Sequence, residues 1–229
     1  MKAVLLCAGY ATRMRPLTYY VSKAMIPVAG VPLLERILVK LRDLGFADLI
    51  VCLSHLQDQV EHYFGDGSRF GVRMAYSVAD KPLQTAGEIV HARELVGDGD
   101  FLVHYGDILT NLDIGRLVDI HREKGATATL GFVTGVRTHT GIAELDADGR
   151  LTYFEEKPPL DRACNAAVDV FGPAFWEYAE IGKDIATHVV PAMLAASERV
   201  YGYLDEQAYW YDVGRLSDLD EVNEVFRSL

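Results

Sequence analysis

The chain has 229 residues, half of them hydrophobic, and a formal net charge of −11 from 22 Lys and Arg against 33 Asp and Glu. This length favours one domain with a large core, and the acidic balance argues against a nucleic acid or an anionic membrane as partner. The first apolar run is too short for a membrane span and lacks the flank of a signal peptide. Three cysteines in such a chain predict free thiols in a reducing compartment, so we expect a cytoplasmic protein.

The first 125 residues alternate strand-like apolar runs with amphipathic helical stretches. Strands are predicted over 2–8, 48–53, 72–78 and 101–105, and helices over 32–44, 57–64, 85–96 and 114–124. Pro32 is typical of a helix start, and Gly45 of a helix end. Such alternation predicts a mainly parallel sheet whose ligands bind where the strands end. The Gly9–Lys23 loop after the first strand and Gly106–Asp107 after the fourth should therefore share one crevice.

After residue 125 the pattern becomes richer in strands. Strands are predicted over 126–133, 142–145, 151–154, 166–171 and 200–204, and helices over 184–197 and 215–226. We expect an α/β fold of the Rossmann-like, three-layer αβα type, with a mixed, mainly parallel central sheet. A small β extension should carry the pocket of a second ligand. The sequence shows no boundary between domains, so residues 1–229 are treated as a single domain.

The segment from Gly9 to Lys23 is the most informative part of the chain. Residues 1–42 carry seven basic side chains and one acidic side chain in an otherwise acidic protein, which indicates a small anionic ligand. Small residues after a buried strand let backbone N–H groups approach phosphates, and Arg13, Arg15 and Lys23 can offset the phosphate charge. The spacing matches neither a dinucleotide-binding glycine fingerprint nor a Walker A loop. A surface loop with incidental arginines is the alternative.

Two aspartates lie in settings typical of metal ligands. Asp107 follows an apolar strand, where a carboxylate can hold Mg²⁺, and capping of a turn is the alternative role. Asp212 lies between aromatic residues and Gly214, and folding can bring it to Asp107 as a second ligand. Taken alone, Asp212 is equally consistent with the N-cap of the last helix. His104 lies inside the fourth strand and is interpreted as structural.

Charged residues also end one of the later strands. Lys157 can bind a phosphate and Glu156 a sugar hydroxyl, although in isolation a solvated charged segment explains both better. Asp146 and Asp148 are interpreted as turn residues.

Together these segments resemble the sugar-1-phosphate nucleotidyltransferases, or nucleotide-sugar pyrophosphorylases, over nearly the whole chain. That family opens with a strand, then Gly-x-Gly-Thr-Arg-x-x-Pro-Leu-Thr, then Pro-Lys. The positions of this chain that match in register are Gly9, Thr12, Arg13, Pro16, Leu17, Thr18 and Lys23. Residues 83–87 resemble the family's base-recognition segment, and residues 210–214 its second metal site.

The resemblance implies an enzyme that uses Mg²⁺ to transfer a nucleotidyl group from a nucleoside triphosphate to a sugar 1-phosphate, releasing pyrophosphate. It assigns catalysis to Arg13 and Lys23 and metal binding to Asp107 and Asp212. It also implies a nucleotide-binding half over 1–125 and a sugar-phosphate-binding half over 126–229. The implied nucleotide contacts are Ala8, Gly9, Tyr10, Ala11, Thr12, Arg13, Gln84, Thr85, Ala86 and Gly87. The implied sugar-phosphate contacts are Gly141, Glu156, Lys157 and Asn165.

Five residues depart from the family pattern: Ala11, Ser22, Gln84, Ala167 and Asp169. Gly is usual or common at positions 11, 84 and 167, and Ala is tolerable at position 11 if φ there is negative. Residues 85–87 favour the mannose-1-phosphate guanylyltransferase branch, hence GTP and mannose 1-phosphate. Glucose 1-phosphate with dTTP or UTP is the alternative, and other sugars stay open.

Two other functional classes were weighed. A non-catalytic, nucleotide-sugar-binding regulatory subunit would keep the fold, but the presence of all four implied catalytic and metal-binding residues disfavours it. A retaining glycosyltransferase of related fold would show Asp-x-Asp after the fourth strand, where this chain has Asp107-Ile108-Leu109. We expect no nucleic acid and no membrane as partner, and the apolar content is compatible with a homodimer without requiring one.

Overall fold

The computed structural model describes residues 1–138 and 140–228, and a seven-stranded sheet forms its centre. The strands are β1 (Lys2–Leu6), β2 (Pro27–Val28), β3 (Val31–Pro32), β4 (Asp48–Leu53), β5 (Arg73–Val78), β6 (Phe101–Tyr105), β7 (Ile108–Thr110), β8 (Ala128–Val133), β9 (Ile142–Leu145), β10 (Leu151–Glu155), β11 (Cys164–Phe171), β12 (Val200–Asp205) and β13 (Trp210–Asp212). The α-helices are α1 (Leu33–Asp43), α2 (Gln57–Phe64), α3 (Thr85–His91), α4 (Arg93–Val96), α5 (Ile114–Lys124), α6 (Phe175–Tyr178), α7 (Val190–Ala195) and α8 (Leu216–Ser228).

The central sheet has the strand order β12-β8-β11-β6-β1-β4-β5. β1 runs parallel to β4 and β6, β4 runs parallel to β5, and β12 runs parallel to β8. β11 is antiparallel to both of its neighbours, β6 and β8. The sheet is therefore mixed and mainly parallel, which confirms the predicted fold class. Because β8, β11 and β12 extend the sheet that β1, β4, β5 and β6 begin, both halves of the chain share it.

Apolar layers cover both faces of the sheet. Successive residues of a strand point to opposite faces, so Ala3 and Leu5 of β1 lie in one layer and Val4 in the other. Helices α1, α2, α5 and α8 contribute buried side chains to the first layer. Helices α3, α4, α6 and α7 contribute to the second. The result is the expected three-layer arrangement.

Two predicted helices differ from those in the structure. The helix predicted over 85–96 is divided into α3 and α4 at Ala92, whose φ of −86° and ψ of 5° interrupt the helix. Ile89, Ala92 and Val96 nevertheless lie in one apolar layer, so their helical spacing survives the interruption. The helix predicted over 184–197 begins as a π-helix over Ile185–Val189 and continues as α7.

The shortest strands give no clear signal in the amino-acid sequence. A strand of three residues has too few alternating positions to give a period-two signal, which explains why β7 and β13 were not predicted. These two strands pair in antiparallel fashion, with Asp212 opposite Ile108 and Trp210 opposite Thr110. We call this pair the β7–β13 ribbon. It places the start of β7, next to Asp107, beside the end of β13, at Asp212.

The predicted β extension is the hairpin formed by β9 and β10, all of whose residues are exposed. Asp146 occupies its turn as predicted, since its carboxylate accepts hydrogen bonds from the backbone N–H groups of Asp148 at 3.0 Å and Arg150 at 2.9 Å. Cys7, Cys52 and Cys164 are free thiols. None of the helices in the described ranges is long and apolar enough to cross a bilayer.

Candidate active site

The loop after β1 is held by its own short-range contacts. It contains three single turns of 3₁₀-helix, over Thr12–Met14, Leu17–Tyr19 and Lys23–Met25. The Thr18 hydroxyl donates a hydrogen bond to the Ala11 carbonyl at 2.9 Å. Met14 is fully buried in the core and anchors the first turn. The loop therefore presents its backbone and its cations in a defined shape.

A pocket of about 280 Å³ lies where β1 and β6 end. Its lining residues are Leu6, Cys7, Gly9, Ala11, Thr12, Arg13, Lys23, Ala24, Gly106, Asp107 and Gly214. Residues that are far apart in sequence thus meet at the carboxyl edge of the sheet, as expected for a crevice between parallel strands.

Two ion pairs join the cationic loop to the predicted metal ligands. The Lys23 Nζ donates a hydrogen bond to Asp107 Oδ2 at 2.7 Å. The Arg13 Nη2 lies 3.7 Å from Asp212 Oδ2. The backbone N–H of Val213 donates to the Asp107 carbonyl at 2.9 Å and ties the two acidic segments together. The structure therefore brings Arg13, Lys23, Asp107 and Asp212 into one cluster.

Glycines make this close approach sterically feasible. A Cβ at Gly214 would lie 2.9 Å from Arg13 Nη2 and equally close to both carboxylate oxygens of Asp212. A Cβ at Gly106 would collide with the Cys7 Sγ and lie 2.9 Å from the Leu6 carbonyl. Glycine at both positions lets the chain segments and charged groups pack more closely than a side chain would allow.

Asp212 has the electrostatic character of a metal ligand. Its Oδ1 is buried and has no hydrogen-bond partner among the described residues. Burial raises the pKa of Asp212, and the charge of Asp107 raises it further, whereas Lys23 and Arg13 lower it. Two repelling carboxylates with a buried, unpaired oxygen fit a hard divalent cation such as Mg²⁺.

The number of carboxylates also fits this ion. Mg²⁺ is usually held by one or two carboxylates together with water and substrate phosphates. In the described ranges, no cluster of three or more His, Cys, Asp or Glu side chains forms a complete protein-only metal site. Asp107 and Asp212 would therefore supply two carboxylate ligands, which is the number that Mg²⁺ usually takes from a protein.

Cys7, one of the three cysteines predicted to be free thiols, lines this pocket. Burial raises its pKa to about 12, the charge of Asp107 adds to the rise, and Lys23 opposes it. The thiol therefore stays neutral at physiological pH and adds no negative charge to the pocket.

The predicted base-recognition residues are fixed by the segment before α7. The Thr85 hydroxyl donates to Asp184 Oδ2 at 2.7 Å and accepts a hydrogen bond from the Ile185 N–H at 2.8 Å. A Cβ at Gly87 would lie 2.9 Å from the Gly182 nitrogen, so α3 packs tightly there. The Thr85 side chain also lies close to Tyr105, the residue that ends β6. This proximity places residues 84–87 beside the strand that precedes Asp107.

Two further predicted nucleotide contacts, Ala8 and Tyr10, lie at the start of the segment that follows β1. Ala8 is buried, and its carbonyl accepts a short hydrogen bond from the Ser54 hydroxyl. Tyr10 is exposed and packs edge-on against His55, with 5.9 Å between the ring centres.

Three of the predicted sugar-phosphate residues, Gly141, Glu156 and Lys157, flank the β9–β10 hairpin, whereas Asn165 lies in β11 of the central sheet. A Cβ at Gly141 would lie 2.8 Å from Glu156 Oε2, so these two residues are close neighbours. Lys157 is exposed and has a φ of +51°. The Asn165 Oδ1 accepts a hydrogen bond from the Ala167 N–H at 2.6 Å. In the part of the chain that the structure describes, no hydrogen bond or ion pair joins these residues to the two ion pairs.

Three of the residues that depart from the family pattern have a positive φ, a backbone conformation that normally favours glycine. Their φ values are +46° at Ala11, +67° at Gln84 and +56° at Ala167. The condition under which Ala was expected to be tolerable at position 11, a negative φ, is therefore not met. A left-handed backbone costs a non-glycine residue about 1–2 kcal/mol, so the surrounding contacts must hold these positions in place.

Asp169 follows a bulge in β11 and is only 1% exposed. Neither of its carboxylate oxygens has a hydrogen-bond partner among the described residues. Burial raises its pKa to about 7, and the Gly131 N–H offsets part of the rise without reaching full hydrogen-bond geometry. The departure from the family at this position therefore places an acid inside the sheet.

Comparison with known proteins decides the family. The Nucleotidyl transferase family matches residues 2–228. The chain belongs to this family.

Among curated nucleotidyl transferases, UTP–glucose-1-phosphate uridylyltransferase of Synechocystis is 34% identical over 238 residues, covering 95% of this chain and 61% of the relative. Mannose-1-phosphate guanylyltransferase of Mycobacterium tuberculosis is 34% identical over 223 residues, covering 94% and 62%. Glucose-1-phosphate thymidylyltransferase of Streptomyces griseus is 32% identical over 237 residues, covering 98% and 66%. The chain thus spans about two thirds or less of the length of these relatives.

Solved structures share the fold. A Bacillus anthracis protein crystallised with a sucrose has a TM-score of 0.80 and 22% identity, covering all of this chain and 96% of that one. HddC from Yersinia pseudotuberculosis has a TM-score of 0.78 and 20% identity, covering 98% and 99%. At these identities the likeness establishes the fold and leaves the substrate undefined.

Replacing Asp169 with Asn should stabilise the protein at pH 8. The unfolded chain ionises this carboxyl near its ordinary pKa of 3.8, whereas burial keeps it protonated in the fold up to about pH 7. Between these values the folded state binds the extra proton, so stability falls as pH rises, by at most about 1.4 kcal/mol per pH unit. Asp169→Asn should remove the contribution of Asp169 to this fall in the free energy of unfolding. Urea unfolding from pH 5 to pH 8 measures the effect.

The exposed Asp119 on α5 provides the control, and Asp119→Asn should keep the pH dependence of the wild type. An Asp169→Asn curve parallel to the wild-type curve would contradict the assignment of a buried, protonated acid.

Proposed function

We propose that this protein transfers a nucleotidyl group from a nucleoside triphosphate to a sugar 1-phosphate, with Mg²⁺ as cofactor, and releases pyrophosphate. The observation that carries the proposal is the joining of two cations to two carboxylates at the carboxyl edge of the sheet, through Lys23–Asp107 and Arg13–Asp212. The family to which the chain belongs, and the names of its relatives, support the same reaction class.

The reaction needs positioning and charge compensation rather than a covalent nucleophile. A phosphate oxygen of the sugar 1-phosphate attacks the α-phosphorus, and a new P–O bond forms. The bond from the α-phosphorus to its bridging oxygen breaks, and pyrophosphate leaves with the electron pair. Since both reactants are polyanions, their repulsion is the main barrier that the protein must lower.

The cations of the loop can lower that barrier. In the proposal Arg13 stabilises the leaving pyrophosphate, and Lys23 stabilises the charge that grows on the α-phosphate. Backbone N–H groups over residues 8–12 face phosphate oxygens in a segment of small residues. Asp107 and Asp212 would hold Mg²⁺, which when bound offsets phosphate charge and helps to orient both substrates.

The two halves of the chain would divide the substrates. Residues 1–125 would bind the nucleotide, with residues 84–87 at the base. Residues 126–229 would bind the sugar phosphate through Gly141, Glu156, Lys157 and Asn165. GTP and mannose 1-phosphate form the substrate pair proposed first, and glucose 1-phosphate with dTTP or UTP is the second. We also propose a cytoplasmic location and leave assembly into a homodimer to measurement.

A screen of pyrophosphate release tests the reaction and its substrates together. The four common nucleoside triphosphates are each combined with mannose 1-phosphate, glucose 1-phosphate and other sugar 1-phosphates in the presence of Mg²⁺. We expect pyrophosphate release that requires a sugar 1-phosphate and is fastest with GTP and mannose 1-phosphate. Release without any sugar phosphate would contradict the proposal, and silence across all combinations would favour a non-catalytic nucleotide-sugar-binding subunit.

Asp107→Asn and Asp212→Asn should each lower turnover by roughly 10²–10³, because each removes a ligand of the proposed cation. Asp212→Asn should keep or raise the melting temperature, since burial and Asp107 already disfavour the charged form of Asp212. Pyrophosphate release across a Mg²⁺ titration, together with thermal unfolding, measures both effects. Asp220→Asn, an exposed change on α8, is the control, and wild-type turnover in either site variant would remove the metal assignment.

Arg13→Ala and Lys157→Ala should separate the two substrate sites. Arg13→Ala should mainly lower kcat, because its charge is needed most as pyrophosphate leaves. Lys157→Ala should mainly raise the KM for sugar phosphate, by about tenfold or more for a lost charged hydrogen bond. Steady-state kinetics with each substrate varied in turn measures both, and Lys124→Ala on α5 is a surface control. The reverse pattern of kcat and KM would exchange the two roles.

A further inference from the structure

Lys40 of α1 makes an unusual pair of contacts outside the pocket. Its Nζ donates hydrogen bonds to the Thr110 carbonyl at 2.7 Å and to the Leu112 carbonyl at 2.9 Å. Burial lowers the pKa of this ammonium to about 8, and the charges of Asp113 and Asp205 partly oppose the change. Burial removes water from the Lys40 ammonium, which costs free energy. The two hydrogen bonds to the backbone at the end of β7 compensate for this loss.

The end of β7 is fixed to β13 as well. The Thr110 hydroxyl donates to the Tyr209 carbonyl at 2.6 Å, and the Asn111 Oδ1 accepts a hydrogen bond from the Tyr209 N–H at 2.6 Å. Lys40 thus attaches the far end of the whole β7–β13 ribbon to α1, rather than one strand of it.

The other end of this ribbon carries the two carboxylates. Asp107 directly precedes β7, and Asp212 is the last residue of β13, opposite Ile108. A strand of three residues spans only about 10 Å, so a shift or rotation at Thr110 moves the Asp107 end too. The contact with Lys40 thus holds the end of the β7–β13 ribbon that lies opposite both carboxylates.

Helix α1 is itself connected to the cationic loop. The Leu33 N–H at its start donates to the Ile26 carbonyl at 3.0 Å, just after the turn Lys23–Met25. Lys40 thus joins the ribbon that bears Asp107 and Asp212 to the helix that follows Lys23.

We propose that Lys40 is a positioning residue that sets the relative placement of the Asp107 and Asp212 carboxylates through the two backbone carbonyls it binds. The proposal rests on the proposed function, in which this carboxylate pair holds a divalent cation. Lys40 itself contributes no ligand and no contact with substrate. The alternative is a buried lysine that stabilises the fold without affecting the site.

Binding of Mn²⁺, followed by electron paramagnetic resonance of the free ion in the absence of nucleotide, tests the proposal directly. Lys40→Met keeps the length and the apolar stem but leaves both carbonyls without their donor. We expect its Kd for Mn²⁺ to rise about tenfold or more, in the range that loss of an outer-shell contact typically produces. Lys40→Gln, with a shorter side chain that keeps two N–H donors, should fall between Lys40→Met and the wild type.

Lys2→Met is the matched control, because Lys2 Nζ also donates to a backbone carbonyl, that of Leu95, at 2.5 Å. Lys2 begins β1 and lies at the opposite edge of the sheet from the site. Circular dichroism and thermal unfolding identify the temperature at which every variant is folded, and Mn²⁺ binding is measured there. Lys2→Met should lower the melting temperature without changing the Kd for Mn²⁺.

The outcomes separate this proposal from the proposed function. Wild-type Mn²⁺ affinity in Lys40→Met, or an equal loss in Lys2→Met, would overturn the positioning role while Asp107→Asn still weakens binding. If Asp107→Asn and Asp212→Asn leave Mn²⁺ binding unchanged, the metal assignment fails and the role of Lys40 fails with it. If Lys40→Met does not fold, the Kd of folded Lys40→Gln decides the question.

Discussion

The repulsion between the Asp107 and Asp212 carboxylates is the constraint on which the candidate active site depends. Burial and the neighbouring charge both raise the pKa of Asp212, so the fold keeps an unfavourable ionised pair close together. One cation sits against each carboxylate, Lys23 at 2.7 Å and Arg13 at 3.7 Å, but Asp212 Oδ1 stays unpaired among the described residues. Besides these two cations, the backbone helps to fix the two carboxylates close together. The β7–β13 ribbon and the absent side chain at Gly214 provide that fixation.

The features of the fold that depend on alternating strands and helices could be predicted from the sequence. The mainly parallel sheet follows from alternating strands and helices, and the crevice follows from where β1 and β6 end, because both depend on patterns that span many residues. The ribbon could not be predicted in the same way. Its strands have three residues each, and their pairing joins Ile108 to Asp212 across about a hundred residues, where no local pattern carries information. Convergence of Asp107 and Asp212 was therefore expected from the resemblance, and the interaction that produces it was visible only in three dimensions.

Backbone conformation was the second property that sequence reasoning could not supply. Ala was expected to be tolerable at position 11 if φ there is negative, but the φ of Ala11 is +46°. Gln84 and Ala167 also have positive φ angles. The fold thus retains the shape that suits glycine at these positions while the side chains have changed. Since the strain is local and the contacts that hold it are tertiary, such as those of Thr85 with Asp184 and Ile185, composition alone gives no sign of it.

The residues that depart from the family pattern are therefore not members of the two ion pairs proposed to act in the reaction. The four residues proposed for catalysis and metal binding are all present: Arg13, Lys23, Asp107 and Asp212. Their geometry comes from the carboxyl edge of the sheet and from the β7–β13 ribbon. The residues that depart from the family pattern leave both of these features intact. Gln84 lies next to the proposed base segment, and Asp169 places a buried acid in β11 beyond the bulge at Ala167. A change of side chain there alters polarity and shape without removing a charge from the cluster. In the proposed function, the reaction class and the choice of substrate thus depend on different residues, which explains why the motifs indicate the first far better than the second.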